Sequence, residues 1–209
     1  MEQNNITSTI APFRAWISSQ VSHYDASHDI VHLDNVVAHA IHILDENNVD
    51  KNCKLYFSTI FAALAHDICD KKYVRNVKSK LNLMVSTMKR LNVPDDIIST
   101  VENVVPRISF SKRLREGEPL DLSKEDLFVY RVVSDADMLE AMGATGVVRT
   151  YMFQAVHGHT AKGAWIHTTN TLFRCNEYLV FNYSKVEGSK RFMRMKRICE
   201  ELKLEREIM

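Results

Sequence analysis

Glycine and proline are scarce: 6 and 4 in 209 residues, too few for the turns of an all-β protein of this length. Paired cysteines are missing as well. Cys53, Cys69, Cys175 and Cys199 are scattered without a CxxC spacing. Such a set could form disulfides, but reduced thiols in a cytoplasmic protein are the better expectation. Neither sign of charge dominates, since 27 Lys and Arg face 26 Asp and Glu for a net +1. General electrostatic binding to nucleic acid or to a membrane surface is therefore not expected. No apolar run approaches the roughly 20 residues needed to cross a bilayer. The opening MEQNNITSTI has neither the basic nor the apolar region of a secretory signal.

What the chain does have is helical spacing almost everywhere. Ile10, Phe13, Ile17 and Val21 step by three and four, as do Val36, Val37, Ala40, Ile41 and Leu44, then Leu81, Met84, Val85, Met88 and Leu91. Pro94-Asp95-Asp96 reads as a helix start, with carboxylates at the positive end of the dipole. Ser123-Lys124-Glu125-Asp126 resembles a capping box opening a helix that runs to Met142. After Gly143 and Gly146 another helix is expected to run to about Val156, followed by the loop HGHTAKGA, with helices resuming near Thr168 and again from Lys185 to the C-terminus. One long segment, Pro106 to Leu122, reads as irregular and basic, and loops of that length are usually functional or mobile. With no repeat, linker or low-complexity tract, the expectation is a single all-α domain over residues 1–209.

The stretch AALAHDICDKKY, residues 62–73, carries the chemistry. An apolar helix ends in His66, Asp67, Asp70 and two lysines. On a helix, residues three and four apart share a side. Clustered carboxylates repel one another unless a cation sits between them, and a divalent metal supplies that cation. His32 and Asp137, in helical segments elsewhere, are further candidates. Two imidazoles and two carboxylates would suit Mn²⁺, Fe²⁺, Co²⁺ or Ni²⁺ better than Ca²⁺ or a structural Zn²⁺. A solvated helix end is the plain alternative. His28 and His39 leave a surface histidine stripe open, and His157-Gly-His159 reads as an exposed loop. Asp135-Ala-Asp137 spells DxD but falls inside a helix. GHTAKGA lacks the ending of a phosphate-binding P-loop.

The pieces YDASHDIVHLDNVVAHA, AALAHDICDKKY, ISFSK, VVSDADMLEAMGATGVVRT and TLFRCNEYLVFNYSKVEGSKRF, in that order, resemble the HD-domain metal-dependent phosphohydrolases. The similarity is to the small bacterial group called YedJ/YpgQ-like. It spans about residues 24–197, leaving residues 1–23 as an N-terminal helix and 198–209 as the end of the C-terminal one. The resemblance implies a single-domain helical HD fold and one divalent ion, Mn²⁺ before Mg²⁺, Fe²⁺, Co²⁺ or Ni²⁺. It implies the metal ligands His32, His66, Asp67 and Asp137, and sets His28-Asp29 aside as a second His-Asp pair outside the ligand set. Asp70 falls where related enzymes place an acid that activates the attacking water, and Lys72 matches a lysine that meets phosphate. Ser109, Ser111, Lys112 and Arg149 are the candidate substrate contacts.

The implied function is hydrolysis of a nucleotide or another small phosphorylated metabolite, releasing phosphate or pyrophosphate. The alternative is a sensor that holds metal or nucleotide with little turnover. Asn35 and Met138, which replace arginines of the family pattern, keep that alternative in view, and Arg174 is a third departure, replacing a histidine.

Overall fold

The computed structural model describes residues 3–205, so the expected helix end at 206–209 lies outside the described residues. The described residues contain no strand. In chain order the helices are α1 (Gln3–Val21), α2 (Ile30–Glu46), α3 (Lys54–Ala65), α4 (Val77–Arg90), α5 (Asp95–Val104) and α6 (Phe110–Glu116). They continue as α7 (Lys124–Glu140), α8 (Gly143–Val156), α9 (Ala161–Asn170), α10 (Cys175–Tyr178) and α11 (Asn182–Leu204). The expected all-α fold is what the chain adopts.

Helix α3 explains the layout. Every residue from Phe57 to Ala65 is buried, so the helix is covered on all sides and lies inside the molecule. Helices α1, α2, α5 and α7 surround it. Phe13 and Ile17 of α1, Leu33, Val36 and Ala40 of α2, and Val129, Val132 and Val133 of α7 close the core around it. A second cluster, with Met138, Leu139, Met142, Leu172 and Met195, adjoins the first at the end of α7.

Local chemistry sets the helix starts. Asp29 caps α2 by accepting the amide of His32 at 3.0 Å, and Ser123 caps α7 by accepting that of Asp126 at 3.1 Å. Two expectations need correction. The segment 106–122 is not irregular throughout: it carries α6, opened by Ser109 as N-cap and closed at Gly117 with φ +81°. Helix α9 starts at Ala161, seven residues ahead of the expected Thr168, because Thr160 caps it by accepting the amide of Gly163 at 3.1 Å. Both caps are single hydroxyls inside polar stretches that otherwise read as loop.

Candidate metal centre

Helices α2 and α7 run side by side in the same direction. His32 faces Asp137, and one turn further along both helices Asn35 faces Glu140. Helix α3 delivers the other side of the site. It ends at Ala65, and the chain tightens into a 3₁₀ turn, His66–Cys69, that points His66 and Asp67 toward the same spot. Nε2 of His32 lies 3.4 Å from Oδ2 of Asp67 and 3.5 Å from Oδ1 of Asp137. Nε2 of His66 lies 3.4 Å and 3.7 Å from the same two oxygens.

Ligand atoms held at about 2.1 Å from one ion would sit about 3 Å apart when adjacent and about 4.2 Å when opposite, so the observed spacings bracket a common centre. The donor atoms of His32, His66 and Asp137 all fall within 4.8 Å of one another, and Asp67 reaches both imidazoles. Two of these atoms, Nε2 of His66 and Oδ2 of Asp67, are buried without a hydrogen-bond partner. Buried polar atoms are rarely left so, and a cation would satisfy both. Nδ1 of His66 donates to the carbonyl of Ala63 at 2.8 Å, which leaves the lone pair on Nε2. The residues present fit a divalent cation with mixed nitrogen and oxygen ligands.

The electrostatics agree. Burial opposes a charge on His66, but Asp67 and Asp137 outweigh it and lift its pKa to about 9. Burial likewise opposes charge on the two carboxylates, and the imidazoles reverse it, holding Asp67 well below the usual range and Asp137 below it too. Burial lowers His32, which stays a neutral imidazole. Without a metal, the proton on His66 supplies the positive charge that the carboxylate pair needs.

The centre lies in a cleft of about 640 Å³, and all ten residues singled out from the sequence line it: His32, His66, Asp67, Asp70, Lys72, Ser109, Ser111, Lys112, Asp137 and Arg149. Their roles in the fold differ. Asp70 does not continue the helix as its spacing suggested. It turns to extended backbone, accepts the amide of Lys72 at 2.8 Å and lies 3.5 Å from the Lys72 ammonium. Lys72 also sits over the ring of Phe153, 5.0 Å from its centre. Ser109 accepts the amide of Lys112 as the cap of α6, which presents Ser111 and Lys112 to the cleft. Arg149 lines the wall with its guanidinium bonded to backbone, Nε to the carbonyl of Ser27 at 2.8 Å and Nη1 to that of Glu140 at 3.1 Å.

Sequence reasoning passed over His28, which also lines the cleft. Its Nδ1 lies 2.7 Å from the Ser27 hydroxyl and 2.9 Å from that of Tyr73, and both hydroxyls donate to Asp25. Burial would raise Asp25, but these hydroxyl bonds overcome it and bring its pKa down to about 2. Since both hydroxyls spend their protons on the carboxylate, Nδ1 of His28 is the donor and Nε2 carries the lone pair. The readable signal was Asp25-Ala-Ser27, where the Ser27 amide bonds the Asp25 side chain at 2.9 Å in an Asx turn.

No protein-family model matches the sequence. YpgQ of Bacillus subtilis (strain 168) is 28% identical over 171 residues, 79% of this chain and 78% of YpgQ. The crystal structure of B. subtilis YpgQ in complex with ADP superposes with a TM-score of 0.75 at 22% identity, covering 94% of this chain and 97% of that one. An HD-superfamily hydrolase from Bacillus thuringiensis superposes with a TM-score of 0.72 at 18% identity, covering 98% and 100%. This is the HD-superfamily fold. A Lactobacillus plantarum protein superposes with a TM-score of 0.78 at 20% identity, covering 95% and 96%. The departures seen in the sequence find places within the HD fold. Asn35 bonds Glu140 at 3.1 Å, Met138 is buried in the second apolar cluster, and Arg174 bonds the Tyr178 hydroxyl at 3.1 Å.

Proposed function

We propose that the protein is a metal-dependent phosphohydrolase acting on a nucleotide or a similar small phosphorylated metabolite. One observation carries this reading: two partnerless buried donor atoms, on His66 and Asp67, converge with His32 and Asp137 at the floor of an open cleft. The rim of that cleft carries Lys71, Lys72, Lys112 and Arg115, cations suited to phosphate oxygens. The ADP bound to the similar YpgQ supports a nucleotide.

His32, His66, Asp67 and Asp137 would hold one divalent ion, Mn²⁺ first among Mg²⁺, Fe²⁺, Co²⁺ and Ni²⁺. Once bound, the ion supplies a polarised phosphoryl group and a water of lowered pKa. Asp70 would accept a proton from the attacking water as its oxygen bonds to phosphorus and the bond to the leaving oxygen breaks. Lys72 and Lys112 pair with the phosphate oxygens as charge develops, and the Ser109 and Ser111 hydroxyls donate hydrogen bonds to them. Arg149 supports the wall from which these groups act.

The test is metal content after purification, then phosphate and pyrophosphate release from a nucleotide panel with Mn²⁺. Release of either product from at least one nucleotide is expected. A protein that retains metal and binds nucleotides, yet releases nothing with any ion, would instead be the sensor.

A further inference from the structure

Asn35 and Glu140 form the next rung beyond His32 and Asp137 between the parallel helices α2 and α7. Glu140 is only 3% exposed, and a buried carboxylate needs partners. Asn35 Nδ2 serves one oxygen at 3.1 Å. Arg191, from α11, serves the other through Nη1 at 3.2 Å. The same Nη1 donates to the carbonyl of Leu139 at 2.9 Å, and Nη2 lies 2.9 Å from Nε2 of His39 on α2. Nε of Arg191 is held by Glu187 at 3.0 Å.

The last carbonyls of a helix have no donor within it. At the end of α7 two of these carbonyls receive a guanidinium, Leu139 from Arg191 and Glu140 from Arg149. That last turn also carries Asp137. One side chain from α11 therefore grips α7 by backbone and by carboxylate, and grips α2 through His39.

We infer that Arg191 is a positioning residue of the metal centre. Through Glu140 and Asn35 it sets the separation and rotation of α2 and α7, and with them the gap between His32 and Asp137. The inference rests on the metal reading above. Metal–ligand bonds tolerate about 0.2 Å, so a small splay of the rung spoils the site without unfolding the helices.

The experiment is a Mn²⁺ titration of the full chain, followed by the electron paramagnetic resonance signal of free Mn²⁺, at a temperature where circular dichroism shows every variant folded. Arg191→Met leaves Glu140 buried without its cation and is expected to weaken Mn²⁺ binding about 10–100-fold. Arg191→Lys, which keeps the charge, should lose less. Arg191→Met combined with Glu140→Gln, which restores a neutral rung with Asn35, should recover part of the affinity. Arg194→Ala, exposed on the same helix, should bind as wild type.

Equal Mn²⁺ affinity in wild type, Arg191→Met and Arg191→Lys would overturn the positioning role and leave the metal reading standing. If Arg191→Met does not fold, Arg191→Lys decides alone, with a loss of several-fold expected and wild-type affinity overturning the role. A wild-type protein that binds no Mn²⁺ would remove the metal reading, and this inference with it.

Discussion

Nδ1 of His66 lies 2.8 Å from the carbonyl oxygen of Ala63, and that bond decides which nitrogen faces the cleft. Nδ1 keeps its proton on that carbonyl, and Nε2 is the nitrogen that faces the carboxylates of Asp67 and Asp137. The ring is oriented before any ligand arrives, because α3 supplies the carbonyl three residues back.

Replacing Asp67 should therefore cost more than replacing a supporting residue. Asp67→Ala removes the carboxylate that lies 3.4 Å from both imidazoles. Mn²⁺ affinity should fall by more than the about 10–100-fold typical of an outer partner, and turnover should vanish with it. Elemental analysis and product release, measured on one preparation, check both. Retained metal with lost turnover would mean that Asp67 acts otherwise than as a ligand.

Asp70 is expected to separate the two properties. Its carboxylate points to Lys72 rather than into the cluster, so Asp70→Ala should keep the metal. The rate should drop by about 10²–10⁴ if the residue accepts the proton of the attacking water. Metal stoichiometry together with kcat decides the matter, and an undiminished kcat would end this role for Asp70.

The sequence was most legible where local rules suffice. The starts of α5 and α7 and the apolar steps of α1, α2 and α4 follow from caps and spacing, and the structure carries them. Segment 106–122 hid α6 because one serine and one glycine bound a polar two-turn helix. The His–Asp cluster needed long-range knowledge: periodicity cannot bring α2 and α7 to His66 and Asp67, and only the family resemblance linked the four. Asp70 misled for a physical reason, since the 3₁₀ turn at His66–Cys69 breaks the i, i+4 relation. The partner of Asn35 could not be read at all, because Glu140, and the Arg191 that holds it, lie on helices far along the chain.

The bonds around Asp25 predict an acid-sensitive term in stability. Its pKa of about 2, below the ordinary 3.8, means that the folded state favours the ionised form. The resulting stabilisation is fully present above pH about 4 and is lost as pH falls toward 2. Tyr73→Phe removes one of the hydroxyl donors and should destabilise the protein by about 1.5–3 kcal/mol at neutral pH. Because that loss depends on the carboxylate charge, the gap between variant and wild type should narrow as pH falls from 4 to 2. Urea unfolding at several pH values measures it, and a gap that stays constant down to pH 2 would contradict the assignment.

Two glycines give a contrasting pair in which the nature of the neighbour decides the outcome. A Cβ on Gly146, in α8, would lie 2.3 Å from the carbonyl oxygen of Ala141 and 2.4 Å from its carbon. These are backbone atoms at the end of α7, beside Asp137, and they cannot swing aside. A Cβ on Gly188, in α11, would lie 2.2 Å from Cδ1 of Leu179, the far end of a side chain that can change rotamer. Gly146→Ala should therefore cost the upper part of the about 1–3 kcal/mol usual for overpacking, a fall in Tm of about 5–12 °C at this chain length. Gly188→Ala should cost less despite its nominally closer contact. Gly146→Ala should also weaken Mn²⁺ binding, because relieving the clash moves the turn that holds Asp137, whereas Gly188→Ala should leave that affinity alone. Thermal melts and Mn²⁺ titrations of the two variants test both halves, and the reverse ranking in Tm would show that the end of α7 yields more readily than Leu179.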